Sequence, residues 1–183
     1  MTGVAAWLMV SLALGVIVVR RRSLAVALVT IQALVLAITA LGQSASTNET
    51  IAAAALALRA VVLAGFFWLL VRRTRESRPV RAGAAPLARA GVATGLALAL
   101  VWLVPELGLE SRDTQRAVLT IVAIGLATVA TRNATLFQVL GIVLVENALA
   151  LAALGLPGDS SLVIELGVTL DLALLTVVAG VFH

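Results

Sequence analysis

The chain has 183 residues, 62% hydrophobic and 12% charged, with no cysteine and one histidine at its last position. Soluble domains carry about 25% charged residues, so a mean hydropathy of +1.13 marks an integral membrane protein. The composition leaves no ligand set for thiolate, imidazole–metal, haem or iron–sulfur chemistry, and no metal or cofactor is expected. The net charge of +4 rests on arginines placed next to or within apolar segments, a pattern of membrane topology and not of a nucleic-acid surface.

In chain order the first apolar span is Gly3–Val19. It has no basic leader and is followed by Arg20, Arg21 and Arg22, so it is expected to remain as an uncleaved first helix. Span two, Leu24–Leu41, contains Gln32; after the arginine-free loop GQSASTNET, span three, Ile51–Val71, contains Arg59. The segment RRTRESRPVRAGAAPLAR (72–89) is a basic linker, expected to be a solvated cytoplasmic loop or one that touches anionic lipid or a partner. Spans four and five, Ala90–Val104 and Ala117–Ala130, fall short of the ~20 residues that cross ~30 Å of hydrocarbon, so they must extend into their flanks or sit in a thinned, protein-lined region. If the fifth does not cross, the count is six and the C-terminus changes sides. The link TRN adds Arg132 to the arginine-bearing side. Span six, Ala134–Gly155, holds Glu146 and Asn147, and span seven, Leu162–Phe182, holds Glu165 and Asp171.

The spans lack the alternation of a barrel strand, and lipid cannot satisfy free backbone groups, so helices are expected. The fold is therefore an all-α polytopic transmembrane bundle of about seven helices. Placing the arginine-rich loops in the cytoplasm puts the N-terminus outside and the C-terminus inside. Trp7, Trp68 and Trp102 fall near span ends, as interfacial anchors do. The chain divides into a three-helix unit (1–71), the basic loop (72–89), a linking helix (90–104) and a second three-helix unit (117–183). An internal echo supports the two units: IQALVLAITALG in span two parallels VENALALAALG in span six, and Arg59 of span three parallels Asp171 of span seven.

Depth gives the sharpest pattern. Counted from the outer end of its span, Arg59 lies eight residues in, and Gln32, Glu146 and Asp171 each lie nine. At ~1.5 Å per residue all four sit ~12–14 Å deep, near the midplane, and Glu165 is shallower at ~5 Å. An ionised group there costs at least ~2.5–3.5 kcal/mol, so these residues should face the interior, pair, or meet water. Burial and a nearby arginine push a carboxylate in opposite directions, and a balance between them suits proton exchange near neutrality. Glu146, Asp171 and Glu165 are the proton-transfer candidates, Arg59 the tuning charge, with Gln32 and Asn147 as supporting polar groups. Two other readings stay open: a buried Arg59–Glu146 or Arg59–Asp171 pair that only fixes packing, and for Glu165 a solvated interfacial acid.

The segment RNATLFQVLGIVLVENALALAALGLPGDSSLVIELGVTLDLAL resembles the C-terminal hairpin of hydrogenase-4 component E proteins, through LVEN, IELG and the following Asp171. IQALVLA in span two is similar to a Q-S-L-V-L-type stretch of that family, and Arg59 stands where the family has lysine. The resemblance implies an enlarged relative of the NuoK-type small subunit of respiratory complex I, with Glu146 and Glu165 matching its two membrane-embedded glutamates. This sequence stops at His183 without the family's extended tail, a departure that puts in doubt the cytoplasmic docking role of a tail. The resemblance implies a membrane-arm subunit in the inner (plasma) membrane. It would have no activity alone and would lie beside antiporter-like and other subunits of a hydrogenase-like or complex I-like assembly. The alternatives are a self-contained three-plus-one-plus-three transporter and a purely structural membrane anchor.

Overall fold

The computed structural model describes residues 3–44, 46–73, 85–109 and 111–156. Among these residues there are six α-helices and no strand: α1 Gly3–Val18, α2 Arg22–Gln43, α3 Thr47–Arg73, α4 Pro86–Leu103, α5 Arg112–Thr131 and α6 Thr135–Leu154. The expected seventh span, with Glu165 and Asp171, lies outside the described residues.

Five of the six helices, α2 to α6, are long and apolar enough to cross a membrane. Spans four and five, too short as apolar runs alone, extend into their N-terminal flanks as expected. Pro86 opens α4, where a missing N–H costs nothing and the fixed φ suits a first turn. Ser111 caps α5, its Oγ accepting from the Asp113 N–H at 3.2 Å. The two helices reach 18 and 20 residues, and α1, at 16, is the shortest. Helix α3 starts on a reciprocal capping box, Ser46 N–H donating to Glu49 Oε2 and Glu49 N–H to Ser46 Oγ.

Helices α1, α2, α6 and α5 pack in that order as a ring. Helix α3 flanks α2, and α4 lies against α5 and α1. The helices that the sequence echo pairs, α1 with α5 and α2 with α6, are neighbours in this ring. The short links between α1 and α2, α2 and α3, and α5 and α6 turn the chain back on itself. Arg20, Arg21, Arg22, Arg89 and Arg132 collect at one end of the bundle, and Glu49, Glu106 and Asp113 at the other.

Side chains sort in the manner expected for a bundle solvated by lipid. Ala6, Met9, Ala13, Ile17, Ile121, Ile124, Leu140 and Leu144 fill the interior, while Ile38, Leu58, Leu98, Trp102 and Leu103 point outward. The hydroxyls of Ser11, Thr39, Thr120, Thr128 and Thr131 donate to carbonyls one turn back in their own helices, so none of them asks for water. Helices α5 and α6 approach each other closely at two glycines. A Cβ on Gly125 would stand 2.7 Å from the Gly141 carbonyl oxygen, and one on Gly141 2.8 Å from that of Gly125. Only glycine allows these two backbones to touch.

Candidate functional site

The buried positions of α2 include Ala25, Val29, Gln32, Leu36 and Ala40, steps of three and four that follow one face of a helix. That face meets the inside of the ring, so folding alone carries Gln32 into an apolar interior where its amide must be satisfied. Its Nε2 donates to the Met9 carbonyl of α1 at 2.9 Å. Its Oε1 accepts from Asn147 Nδ2 of α6, also at 2.9 Å. The two amides thus tie α1, α2 and α6 together near mid-height.

Glu146 precedes Asn147 by one residue, and the ~100° turn between helical neighbours aims it away from Gln32 and toward α3. There Arg59 Nη2 donates to Glu146 Oε2 in an ion pair whose side chains are 11% and 4% exposed. Three of the four residues that the sequence places at one depth, Gln32, Arg59 and Glu146, therefore lie in one polar layer, the amide pair and the ion pair being adjacent through consecutive residues Glu146 and Asn147 of α6. Asp171 and Glu165 fall outside the described residues. Among the described residues no group of three or more metal-ligating side chains is present.

Chemically, this layer holds a carboxylate in a charge-assisted pair, with the hydrogen bond between the Gln32 and Asn147 amides beside it holding the rotation of α6. The amides are neutral hydrogen-bonding groups that orient; the titratable member is Glu146. The sequence anticipated Gln32 and Asn147 as supporting polar groups; the structure joins them directly to each other.

Sequence reading missed a second buried cluster, at the arginine-rich end. Arg132, expected as a loop charge, is 1% exposed. Its Nη2 donates to the carbonyls of Ile17 at 3.0 Å, Val16 at 3.4 Å and Val19, closing the C-terminal end of α1, and its guanidinium lies 3.9 Å over the Phe137 ring. Burial first, then the positive charges of Arg89 and Arg20, pull its pKa down to about 10. Arg89, expected within the solvated linker, is instead in the first turn of α4 and 0% exposed. A signal for Arg89 was available: it shares the i, i+4, i+8 spacing with the small residues Ala93 and Ala97, the other buried positions of α4.

The chain is similar to an uncharacterized protein of Mycobacterium tuberculosis (strain ATCC 25618 / H37Rv), Rv0085, at 33% identity over 136 residues. The match covers 70% of this chain and 60% of the relative's length. No family model matches the chain, and no solved structure matches it.

Proposed function

We propose that the chain is a membrane-arm subunit of a hydrogenase-like or complex I-like assembly. In this reading it spans the inner membrane seven times, with the N-terminus outside and the C-terminus in the cytoplasm. Glu146 passes protons laterally between neighbouring antiporter-like subunits, with Glu165 and Asp171 as further carriers. Arg59 holds the Glu146 carboxylate in place and balances its charge, and the Gln32–Asn147 pair fixes the rotation of α6 that aims it. The similarity of LVEN, IELG and Asp171 to hydrogenase-4 component E proteins motivates the assembly. The observation that carries the reading is the Arg59–Glu146 ion pair set beside the two amides at mid-height. An intramembrane ion pair is costly to build, and such groups recur along proton and ion paths.

The test compares two substitutions in the assembled complex. Glu146→Gln keeps shape and hydrogen bonding but cannot exchange a proton; Glu146→Asp keeps the proton on a shorter arm. A relay predicts that the Gln variant assembles but loses proton-coupled turnover, with Asp restoring part of it. Failed assembly of the Gln variant points instead to a packing pair, the structural-anchor alternative. Full coupling with Gln at this position removes Glu146 from the path.

A further inference from the structure

The arginine-rich end contains an electrostatic problem that the proton-path reading does not use. Arg89 is 0% exposed, and among the described residues none of its Nε, Nη1 and Nη2 has a hydrogen-bond partner. Arg132, 1% exposed, satisfies α1 through Nη2 alone; its Nε and Nη1 are likewise without a partner among the described residues. The two cations lie within each other's field, and Arg20 adds a third positive charge. Burying a guanidinium is tolerated when it is paired and hydrogen-bonded, and like charges brought together add to the cost.

The described chain offers no acid here. Glu49, Glu106 and Asp113 stand at the opposite end, and Glu146 is at mid-height, engaged with Arg59. The helix ends reinforce the bias. The N-termini of α2, α4 and α6, at Arg21, Ala85 and Ala134, have no side-chain cap, so their positive dipole ends add to the arginines. At the other end α3 and α5 begin on Ser46 and Ser111, with Glu49 and Asp113 in their first turns.

We propose that Arg89 and Arg132 form a binding site for the phosphate of an anionic phospholipid, held between the ends of α1, α4 and α5. A phosphodiester offers the acceptor oxygens that planar guanidinium forks engage two at a time. A lipid is chosen over a free anion because of position. The site is in the first turn of a membrane-length helix, at the level where headgroups lie, and Leu87, two residues before Arg89, is 86% exposed and available to an acyl chain. Arg20 and Arg21, exposed beside the site, would draw anionic lipid toward it.

The test uses the full chain purified in a zwitterionic detergent and titrated in native mass spectrometry with three probes: phosphatidylglycerol, phosphatidylcholine of the same acyl chains, and inorganic phosphate. The expected result is retention of phosphatidylglycerol at least about tenfold above phosphatidylcholine, the scale of hydrogen bonds to a charged group. Arg89→Gln should bring the two lipids to parity. Arg72→Gln, which removes an exposed arginine stacked on Trp68 at 3.6 Å, should leave the preference intact. If Arg89→Gln does not fold, Arg89→Lys, which keeps the charge and loses the fork, should bind phosphatidylglycerol more weakly than the parent and still above phosphatidylcholine. Equal retention of both lipids by the parent chain overturns the proposal. So does displacement of phosphatidylglycerol by millimolar phosphate, which makes the site one for a free anion. A phosphatidylglycerol preference that appears or grows in Glu76→Gln also overturns it, because the arginines would then be neutralised from within the chain.

Discussion

Gln32 and Asn147 show how one hydrogen bond between amides can be worth more as a constraint than as energy. Interhelical hydrogen bonds in membranes contribute about 1–2 kcal/mol in peptides and somewhat less in proteins, since unfolded segments in lipid also find partners. Asn147→Leu leaves Gln32 Oε1 without its donor and should destabilise by about 1–2 kcal/mol. The Gln32→Leu/Asn147→Leu double variant should cost less than the sum of the singles. The coupling is measured by a double-mutant cycle of thermal unfolding in detergent, and strict additivity would mean that the bond in the structure is energetically idle. Arg59 is a different case, because its loss withdraws a charge. Arg59→Met should destabilise by about 3–5 kcal/mol, and adding Glu146→Gln should recover most of that by removing the buried carboxylate's charge. A double variant no more stable than Arg59→Met alone would show that the two charges do not compensate each other.

At the scale of elements, the α5–α6 seam depends on two glycines meeting backbone to backbone. Gly125→Ala drives a methyl into the Gly141 carbonyl and the Val145 side chain, each 2.7 Å from the added carbon. Backbone cannot yield as a side-chain tip can, so the helices must separate, at about 1–3 kcal/mol. Gly141→Ala should behave alike, since it meets the Gly125 carbonyl and Val129. Gly95→Ala, whose added carbon has nothing within 4 Å, should be neutral or slightly stabilising through helix propensity. Comparing the three midpoints of unfolding checks this, and equal values would show the seam to be slack. Because Asn147 and Glu146 sit on α6, a widened seam also shifts the polar layer, linking packing to the candidate site.

For the whole molecule, the absence of cysteine makes topology directly measurable, since any introduced thiol is the only one present. With the arginine-rich end in the cytoplasm, Asn133→Cys should be labelled by a membrane-impermeant maleimide only after the membrane is opened, and Thr47→Cys in intact cells oriented outside-out. The reverse pattern would invert the proposed orientation. The polar layer runs across the bundle and not along it, from Met9 through Gln32 and Asn147 to Glu146 and Arg59. A lateral layer conducts nothing between the two surfaces without half-channels from neighbours, so the purified chain in liposomes should show no proton leak above lipid alone. Proton or solute uptake by the isolated chain would favour the self-contained transporter.

Composition and hydropathy were enough to determine a membrane-spanning, helical chain, because lipid admits no other use for 62% hydrophobic residues in long runs. The common depth of Gln32, Arg59 and Glu146 was legible for a related reason: helix rise is fixed, so counting residues measures height. Azimuth is not measured by counting when a helix is apolar all round. Whether Glu146 turns to Arg59 and Asn147 to Gln32 was decided by which faces of α2, α3 and α6 pack. The lengths of α4 and α5 depended on Pro86 and Ser111, local start signals lying outside the apolar runs. The arginines of the basic end divide the same way. Their side of the bundle follows from charge, but only packing separates exposed Arg20 and Arg21 from Arg89 and Arg132, since a long side chain near a helix end can reach outward to water or fold back onto the ends of its neighbours.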